Sequence, residues 1–507
     1  MKDKLHQLIQ SLTVTEKRYF KIFVSRTNRL EEKKYLRLFE IFESVACDDE
    51  LGLVKKLSIS KYPMKHISAD KNYLFELVLE CLRLFHDKNS TYALIHNLLL
   101  ELELLYERGL YEICQQHIRK IKKLIIDIEW YPAEFEITYW EDRIHSSLQN
   151  VKDFEDNFKR QNEIFKQIDE MHTLEYLHFR AQTLRRKTGK LNEPHNMKEF
   201  DALMSDDLLI RKDGEFSFIR SKLKYWQCWA AYQYCKNNVK EEYDANMNML
   251  LLMQENSKFM DEYPMEYVSI FNRVLILSKI AAPDRYQTLL EEFKQFPTKV
   301  KRDKLRVEAQ VFVLAYGTEM LRLIDKGDFL SASNSIGFIQ SEIKRFGTLV
   351  DDIFLINMYY KFAYAEYAMG KTKKALDYLN IIANDFPETL RPDIQGMAKL
   401  LSIAIHSHLN NFALLRYYAK NAANFLKKHK IFLSCEELFL TFIKKIIITK
   451  NDYEFKNELK SFKSQLLNLF NEDPKAKISL RYFDYIAWVD AVVSGTNIYE
   501  SKRNIAI

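Results

Sequence analysis

Glycine and proline are scarce in this chain, with 11 and 9 residues among 507, where average usage is roughly 7% and 5%. Sheets and elaborate loops draw on both residue types for turns and bulges, so the shortage argues against a strand-rich fold and predicts a mostly helical chain. It also excludes a glycine-rich phosphate loop, because isolated glycines build no nest of successive backbone donors. No Cys-x-x-Cys, His-Glu-x-x-His or Gly-x-Ser-x-Gly arrangement occurs. Long apolar runs are missing too: no segment reaches the ~18 apolar residues of a membrane span. Phe442-Ile443 and Ile446-Ile447-Ile448, for example, are divided by Lys444-Lys445. At the start, MKDKLHQLIQSL is too short and too polar in its apolar run for a secretory signal. The expectation is a soluble, cytoplasmic protein that meets no membrane.

Charge of one sign is lacking as well. Basic and acidic residues number 76 and 70, leaving a net +6, which is not the composition of a dedicated nucleic-acid binder. Basic clusters such as Glu16-Lys17-Arg18 and Glu32-Lys33-Lys34 carry acids inside them and read as solvated helix surface. Six cysteines, Cys47, Cys81, Cys114, Cys228, Cys235 and Cys435, have no framework spacing and suit reduced, buried thiols.

Against these absences stand 47% hydrophobic and 29% charged residues, a globular balance. The most organised stretch is Asn357–Pro387, NMYYKFAYAEYAMGKTKKALDYLNIIANDFP. Tyr359, Phe362, Ala363 and Tyr367 recur at three- and four-residue steps, as do Ala375, Tyr378, Leu379 and Ile382, so two apolar helical faces meet across a turn. Gly370 can take the positive φ that closes the first helix, Thr372 can cap the second, and Pro387 stops it. A lone hairpin of this kind cannot bury its outer faces and needs neighbours on both sides.

This unit resembles a tetratricopeptide repeat. Tyr359, Phe362 and Ala363 match that family's aromatic, leucine-like and small positions on the first helix, and Gly370, Ala375, Leu379 and Pro387 match its turn and second helix. Glu366 and Ile382 depart, standing where an aromatic and an alanine are usual. Comparable turns fall at Gly109, Asn150, Gly189, Asn237, Ala282, Gly327, Gly370, Asn410 and Asn451. Their spacing of roughly 40 residues exceeds the family's ~34. Gly327 with Tyr316, Asp328, Phe329 and Ala332 is the next-best match, followed by Gly109 with Leu98, Leu102, Tyr111 and Cys114. The resemblance implies an all-α, right-handed superhelical α-solenoid of about nine TPR-like hairpins over residues 91–475.

Residues 1–90 do not fit the repeat. Thr13 and Glu16 offer a capping box before Tyr19, Phe20, Ile22 and Phe23. Further helices run through Tyr35–Phe39 and Tyr73–Leu79, the latter capped near Ser68 or Asp70, so these residues form an N-terminal helical cap domain. The phrase SLTVTEKRYFKIF resembles the start of uncharacterised helical proteins from Bacteroidota. Residues 185–215 are the least periodic and read as a loop or a break in the stack. At the other end, 476–507 read as a capping helix, Ser479–Val493, and a tail.

The search for chemistry yields no catalytic, metal or cofactor site. His172 and His178 do not share a helical face, nor do His406 and His408, and paired carboxylates such as Glu291-Glu292 and Asp351-Asp352 diverge. Cys228 and Cys235 share a face but read as core beside Trp226 and Trp229. The tetratricopeptide resemblance places Asn357, Tyr360, Tyr364 and Tyr367 toward the concave groove, and Tyr225, Trp229 and Tyr232 repeat the pattern on an earlier first helix. Rigid amphipathic rings suit capture of a protein or peptide segment; wide repeats with bulky residues where alanine is usual favour the other reading, that these rings pack against adjacent repeats. The leading expectation is a non-enzymatic protein–protein interaction scaffold. The other reading is a nucleic-acid-associated regulator using Lys17, Arg18, Lys21, Arg26 and Arg29, interleaved with Tyr19 and Phe20, while the solenoid senses or recruits.

Overall fold

A computed structural model describes residues 3–26, 30–45, 49–60, 62–87, 90–188, 194–211, 215–409, 411–429, 431, 434–448, 452–473, 476, 479–480 and 482–505. The turns read at Gly189, Asn410 and Asn451, together with Cys47 and Arg29, lie outside those residues. Among the described residues all regular structure is helical and no strand occurs. The chain divides into two compact units, Met1–Asn237 with Leu251–Tyr263, and Asn238–Leu250 with Pro264–Ile507.

The first unit begins with a bundle of its own. Helices Lys4–Ser11, Val14–Arg26, Leu30–Glu43, Glu50–Ile59 and Ile67–His86 enclose a core of Leu5, Ile9, Phe20, Phe39, Phe42, Leu74 and Val78. The Phe20 and Phe39 rings stack with centroids 4.4 Å apart. Thr13 and Glu16 cap Val14–Arg26 reciprocally: the Thr13 N–H donates to Glu16 Oε2 at 2.7 Å and the Glu16 N–H to Thr13 Oγ1 at 3.3 Å. Ser68 and Asp70 are not caps. The last helix of the bundle starts at Ile67 behind His66, and Asp70 is buried inside it, bound by Lys34 Nζ at 2.6 Å and Tyr62 Oη at 3.1 Å.

Beyond the bundle come the hairpins Thr91–Tyr106 with Tyr111–Ile128 and Tyr131–Ser147 with Val151–Thr188, then Pro194–Met204, Asp207–Ile210 and Ile219–Cys235. Within 185–215, residues 189–193 and 212–214 lie outside the described residues, and Pro194–Met204 and Asp207–Ile210 are helical where a loop or break is expected, because their scattered apolar residues converge. Phe200, Met204, Leu208 and Leu209 share a core with Leu184, Tyr225, Cys228 and Tyr232. Glu129 pins this part of the unit. It sits in the left-handed region at φ 49°, and its carboxylate accepts from the Ile219 and Arg220 N–H groups at 2.7 and 3.1 Å, capping a helix that begins ninety residues later.

The second unit contains the helix pairs Pro264–Ala281 with Tyr286–Gln295, Lys304–Asp325 with Phe329–Phe346, Asp352–Ala368 with Thr372–Asp385, Pro392–His408 with Phe412–Lys428, and Ser434–Ile446 with Asp452–Glu472. Each pair packs within itself. The first helices of the initial four pairs also pack on one another in order, forming a layer. The turns repeat one hydrogen-bond pattern, in which an N–H reaches back five residues to a helix carbonyl: Asp328 to Leu323 at 2.9 Å, Lys371 to Glu366 at 2.8 Å, Asn411 to His406 at 3.0 Å. Gly327 and Gly370 supply the positive φ this closure requires, 73° and 76°. The same closure occurs in the first unit, from Leu110 to Leu105 around Gly109. Thr372 is the first residue of its helix and Lys371 occupies the cap position, where no side chain caps the helix.

Glu366 and Ile382, the two departures from the repeat pattern, are both buried. Ile382 fills core, while Glu366 Oε2 pairs with Lys371 Nζ at 3.1 Å and accepts from Ser333 Oγ at 3.2 Å. Lys371 Nζ also donates to Ser333 Oγ at 2.6 Å, so the acid ties its own hairpin to the preceding one. A buried carboxylate is tolerated because its charge is paired and hydrogen-bonded.

Candidate functional site

Tyr360, Tyr364 and Tyr367 stand on helix Asp352–Ala368 at helical spacing, and all three are buried, each about 4% exposed or less. What covers their tips is the C-terminal segment of the same chain. Tyr360 Oη donates to the Tyr482 carbonyl at 3.2 Å, and Tyr364 Oη accepts from the Asp484 N–H at 3.2 Å. Indole can only donate, so Trp488 Nε1 donates to Tyr367 Oη at 3.0 Å, and the same hydroxyl is hydrogen-bonded with His408 Nδ1 at 3.1 Å. Burial lowers the His408 pKa, which favours the neutral ring. Burial likewise raises all three tyrosines, so they act as neutral hydroxyls rather than phenolates. Asn357 is half-buried and takes no part: its amide donates to the Ile353 carbonyl of its own helix at 2.6 Å.

The covering segment is not one helix from Ser479 to Val493. The helix runs Tyr485–Ser494, with Asp484 capping it through the Ala487 N–H at 3.0 Å, and a second helix follows at Ile498–Ile505. Starting at Tyr485 rather than Ser479 leaves the main chain at Tyr482 and Asp484 free to meet the tyrosines. The segment touches four helix pairs. Ser479 Oγ donates to Glu436 Oε1 at 2.5 Å, and Tyr482 Oη to Asp393 Oδ2 at 3.1 Å. Trp488, fully buried, meets Phe439 and Phe442 edge-on at 5.7 and 6.1 Å. Lys502 pairs with Asp484 at 2.9 Å and lies 5.7 Å from the Phe329 ring. The Arg391 guanidinium beside Asp393 holds that carboxyl below the usual range, so it stays a charged acceptor for Tyr482.

The sequence predicts a terminal cap here but does not assign it to the tyrosines. Its available signal was the cluster Tyr482, Phe483, Tyr485 and Trp488, too apolar for an exposed tail.

Tyr225, Trp229 and Tyr232 occupy helix Ile219–Cys235 of the first unit. Tyr225 and Tyr232 are buried in the core beside Phe216 and Phe200, and Tyr232 Oη donates to Asp201 Oδ1 at 2.5 Å. Trp229 is half-buried, with rings of Tyr225 and Tyr232 at 6.3 and 6.0 Å, and its indole N–H is enclosed without a partner among the described residues. These three rings pack with one another and with the protein.

In the N-terminal bundle the cations are interleaved with acids. Lys21 pairs with Glu43 at 2.7 Å, Lys34 with Asp70 at 2.6 Å and Lys71 with Asp3 at 2.6 Å. Among the described residues no group of three or more His, Cys, Asp or Glu side chains could hold a metal ion. Five cysteines are free and buried. Burial pushes the Cys81 thiol up to about 11 and those of Cys228 and Cys435 to about 12, which makes them poor nucleophiles. No described helix is long and apolar enough to cross a membrane.

No protein-family model, curated protein or solved structure matches this chain.

Proposed function

We propose that the chain is a non-enzymatic protein–protein interaction scaffold, a right-handed superhelical α-solenoid of tetratricopeptide-like hairpins whose first-helix layer holds a polypeptide segment. One observation carries this reading: the hydroxyls of Tyr360, Tyr364 and Tyr367 each bond to a different polar atom of the docked segment at Tyr482, Asp484 and Trp488. Two of those atoms are main-chain groups, which any peptide offers, and the third belongs to an aromatic anchor in a buried pocket. Main-chain bonds supply affinity and the anchor supplies choice, as in recognition of a segment lying in a groove. Of the cations in the nucleic-acid reading, Lys21 is already matched to Glu43, and a cation matched to a carboxylate contributes less to phosphate binding.

The test uses the full-length chain with a protease site inserted after Asp473. After cleavage, a labelled peptide of residues 479–505 should exchange into the cut protein and not into the uncut one. Tyr360→Ala with Tyr364→Ala should abolish that exchange. A cut protein that takes up no labelled peptide while keeping its helical signal would defeat the reading.

A further inference from the structure

Lys279, Tyr286 and Arg322 come from three successive helices of the second unit, Pro264–Ala281, Tyr286–Gln295 and Lys304–Asp325. The Tyr286 ring, 6% exposed, has Lys279 Nζ 5.6 Å and Arg322 Cζ 5.9 Å from its centroid. Both cations are half-buried. Two donors at this place are enclosed without any partner among the described residues, Tyr286 Oη and Arg322 Nε. Buried donors are nearly always satisfied, and a guanidinium more so than most. Around one ring, then, stand two cations and two orphan donors; the acids acting there are Glu319 on Tyr286 and Asp325 on Lys279, and neither accepts from the orphan donors.

The next helix of the layer extends the same field. Lys361 Nζ has the Gly317 carbonyl as acceptor at 3.0 Å. Burial brings that amine down to about 8; Asp325 works against the shift, and Lys279 and Arg391 add to it. Burial also lowers Lys279, with Asp325 opposing and Arg322 reinforcing. Asp325 therefore acts on both lysines, against their burial.

We propose that Lys279, Tyr286 and Arg322 form a binding site for a phosphoryl oxyanion. The chemistry selects the class. A planar guanidinium matches two phosphoryl oxygens at once, a lysine adds a point charge, and a tyrosine hydroxyl gives a further donor from another direction. Two cations compensate a dianion, and donors from three helices suit a tetrahedral group better than a flat carboxylate. The site is independent of the segment held by Tyr360, Tyr364 and Tyr367, so its fate does not depend on the scaffold reading.

The test is calorimetric titration of the full chain with inorganic phosphate, with a phosphoserine peptide and with its unphosphorylated twin. Thermal melts in phosphate and in chloride at equal ionic strength accompany it. Phosphate should bind and raise the melting temperature where chloride does not. Equal affinity for free phosphate and phosphopeptide marks a small phosphorylated ligand, and tighter phosphopeptide binding marks a modified partner side chain; either supports the site. Arg322→Gln should weaken binding roughly ten- to hundredfold, the range for losing a charged hydrogen bond. Arg322→Lys, which keeps the charge and loses the fork, guards against a folding defect and should still bind more weakly than the parent. Tyr286→Phe should weaken binding while leaving the ligand-free melting temperature unchanged or higher, since it removes an orphaned hydroxyl. The proposal is overturned if phosphate and chloride act alike on the parent chain, or if the Arg322 and Tyr286 variants respond to phosphate as the parent does.

Discussion

Trp488 donates its indole N–H to Tyr367 at 3.0 Å across 121 residues of sequence, and the Tyr367 hydroxyl is also hydrogen-bonded with His408 Nδ1 at 3.1 Å. The bond joins the chain's C-terminal segment to the middle of its helical layer and closes the tyrosine tips to water. Trp488→Ala should destabilise the full chain by about 3–5 kcal/mol, the usual cost of emptying a buried aromatic site. Tyr367→Phe should cost about 1–3 kcal/mol, because it strands a buried indole donor. Denaturant unfolding measures both, and a double-mutant cycle should show coupling between the two sites. Additive effects would remove the direct link.

The carboxylate of Glu129 caps helix Ile219–Cys235 through two N–H groups at 2.7 and 3.1 Å. Glu129→Ala should cost about 1–2 kcal/mol in the first unit, in the range of a lost N-cap. Amide exchange at Ile219 and Arg220 should quicken in the variant. Unchanged exchange there would show that the cap bonds do not hold in solution.

His178 gives the first unit a dependence on acid pH. Burial, then Lys224 and Arg185, bring its imidazole down to about 4 from an ordinary 6.5. Between those values the unfolded chain holds a proton that the folded chain refuses, so stability falls as pH drops from 6.5 toward 4. His178→Gln should flatten that part of the profile. Unfolding midpoints of parent and variant across this range measure it, and parallel curves would count against it.

Lys361 works at the alkaline end of the second unit. Its folded value of about 8 lies below the ordinary 10.5, so across that interval the unfolded chain is protonated and the folded chain is not. Stability from this group therefore rises as pH climbs from 8 to 10.5 and is at its lowest below 8. Lys361→Met should be more stable than the parent near neutral pH, and the gap should close by about pH 10.5. A constant gap would show that the lysine titrates normally.

Much of this molecule was decided locally. Two runs of apolar residues at three- and four-residue steps can only be helices with one dry face, and a glycine between them can adopt the positive φ that ends the first. Gly327 and Gly370 do so at 73° and 76°. The Thr13–Glu16 cap is local for the same reason, since its two bonds span three residues. The helical character of the chain followed from such patterns together with the scarcity of glycine and proline. Where the local signal is weak, over 194–210, helices stand where a loop or break is expected, because Phe200, Leu208 and Leu209 find core partners such as Tyr225 and Tyr232 on another helix.

What the tyrosines face could not be decided that way. Spacing puts Tyr360, Tyr364 and Tyr367 on a related side of one helix, and a ring with a hydroxyl suits a buried contact as well as a wet surface. The outcome hung on whether a segment more than a hundred residues downstream would lie over them, and that is a matter of long-range closure which no local periodicity carries. The same holds for Lys279, Tyr286 and Arg322, unremarkable one at a time in the sequence and brought together only when three helices stack. Sequence alone determined that the chain is helical and where several turns fall. The packing of distant helices determined which polar groups are satisfied, which are left without partners, and so where a site can be.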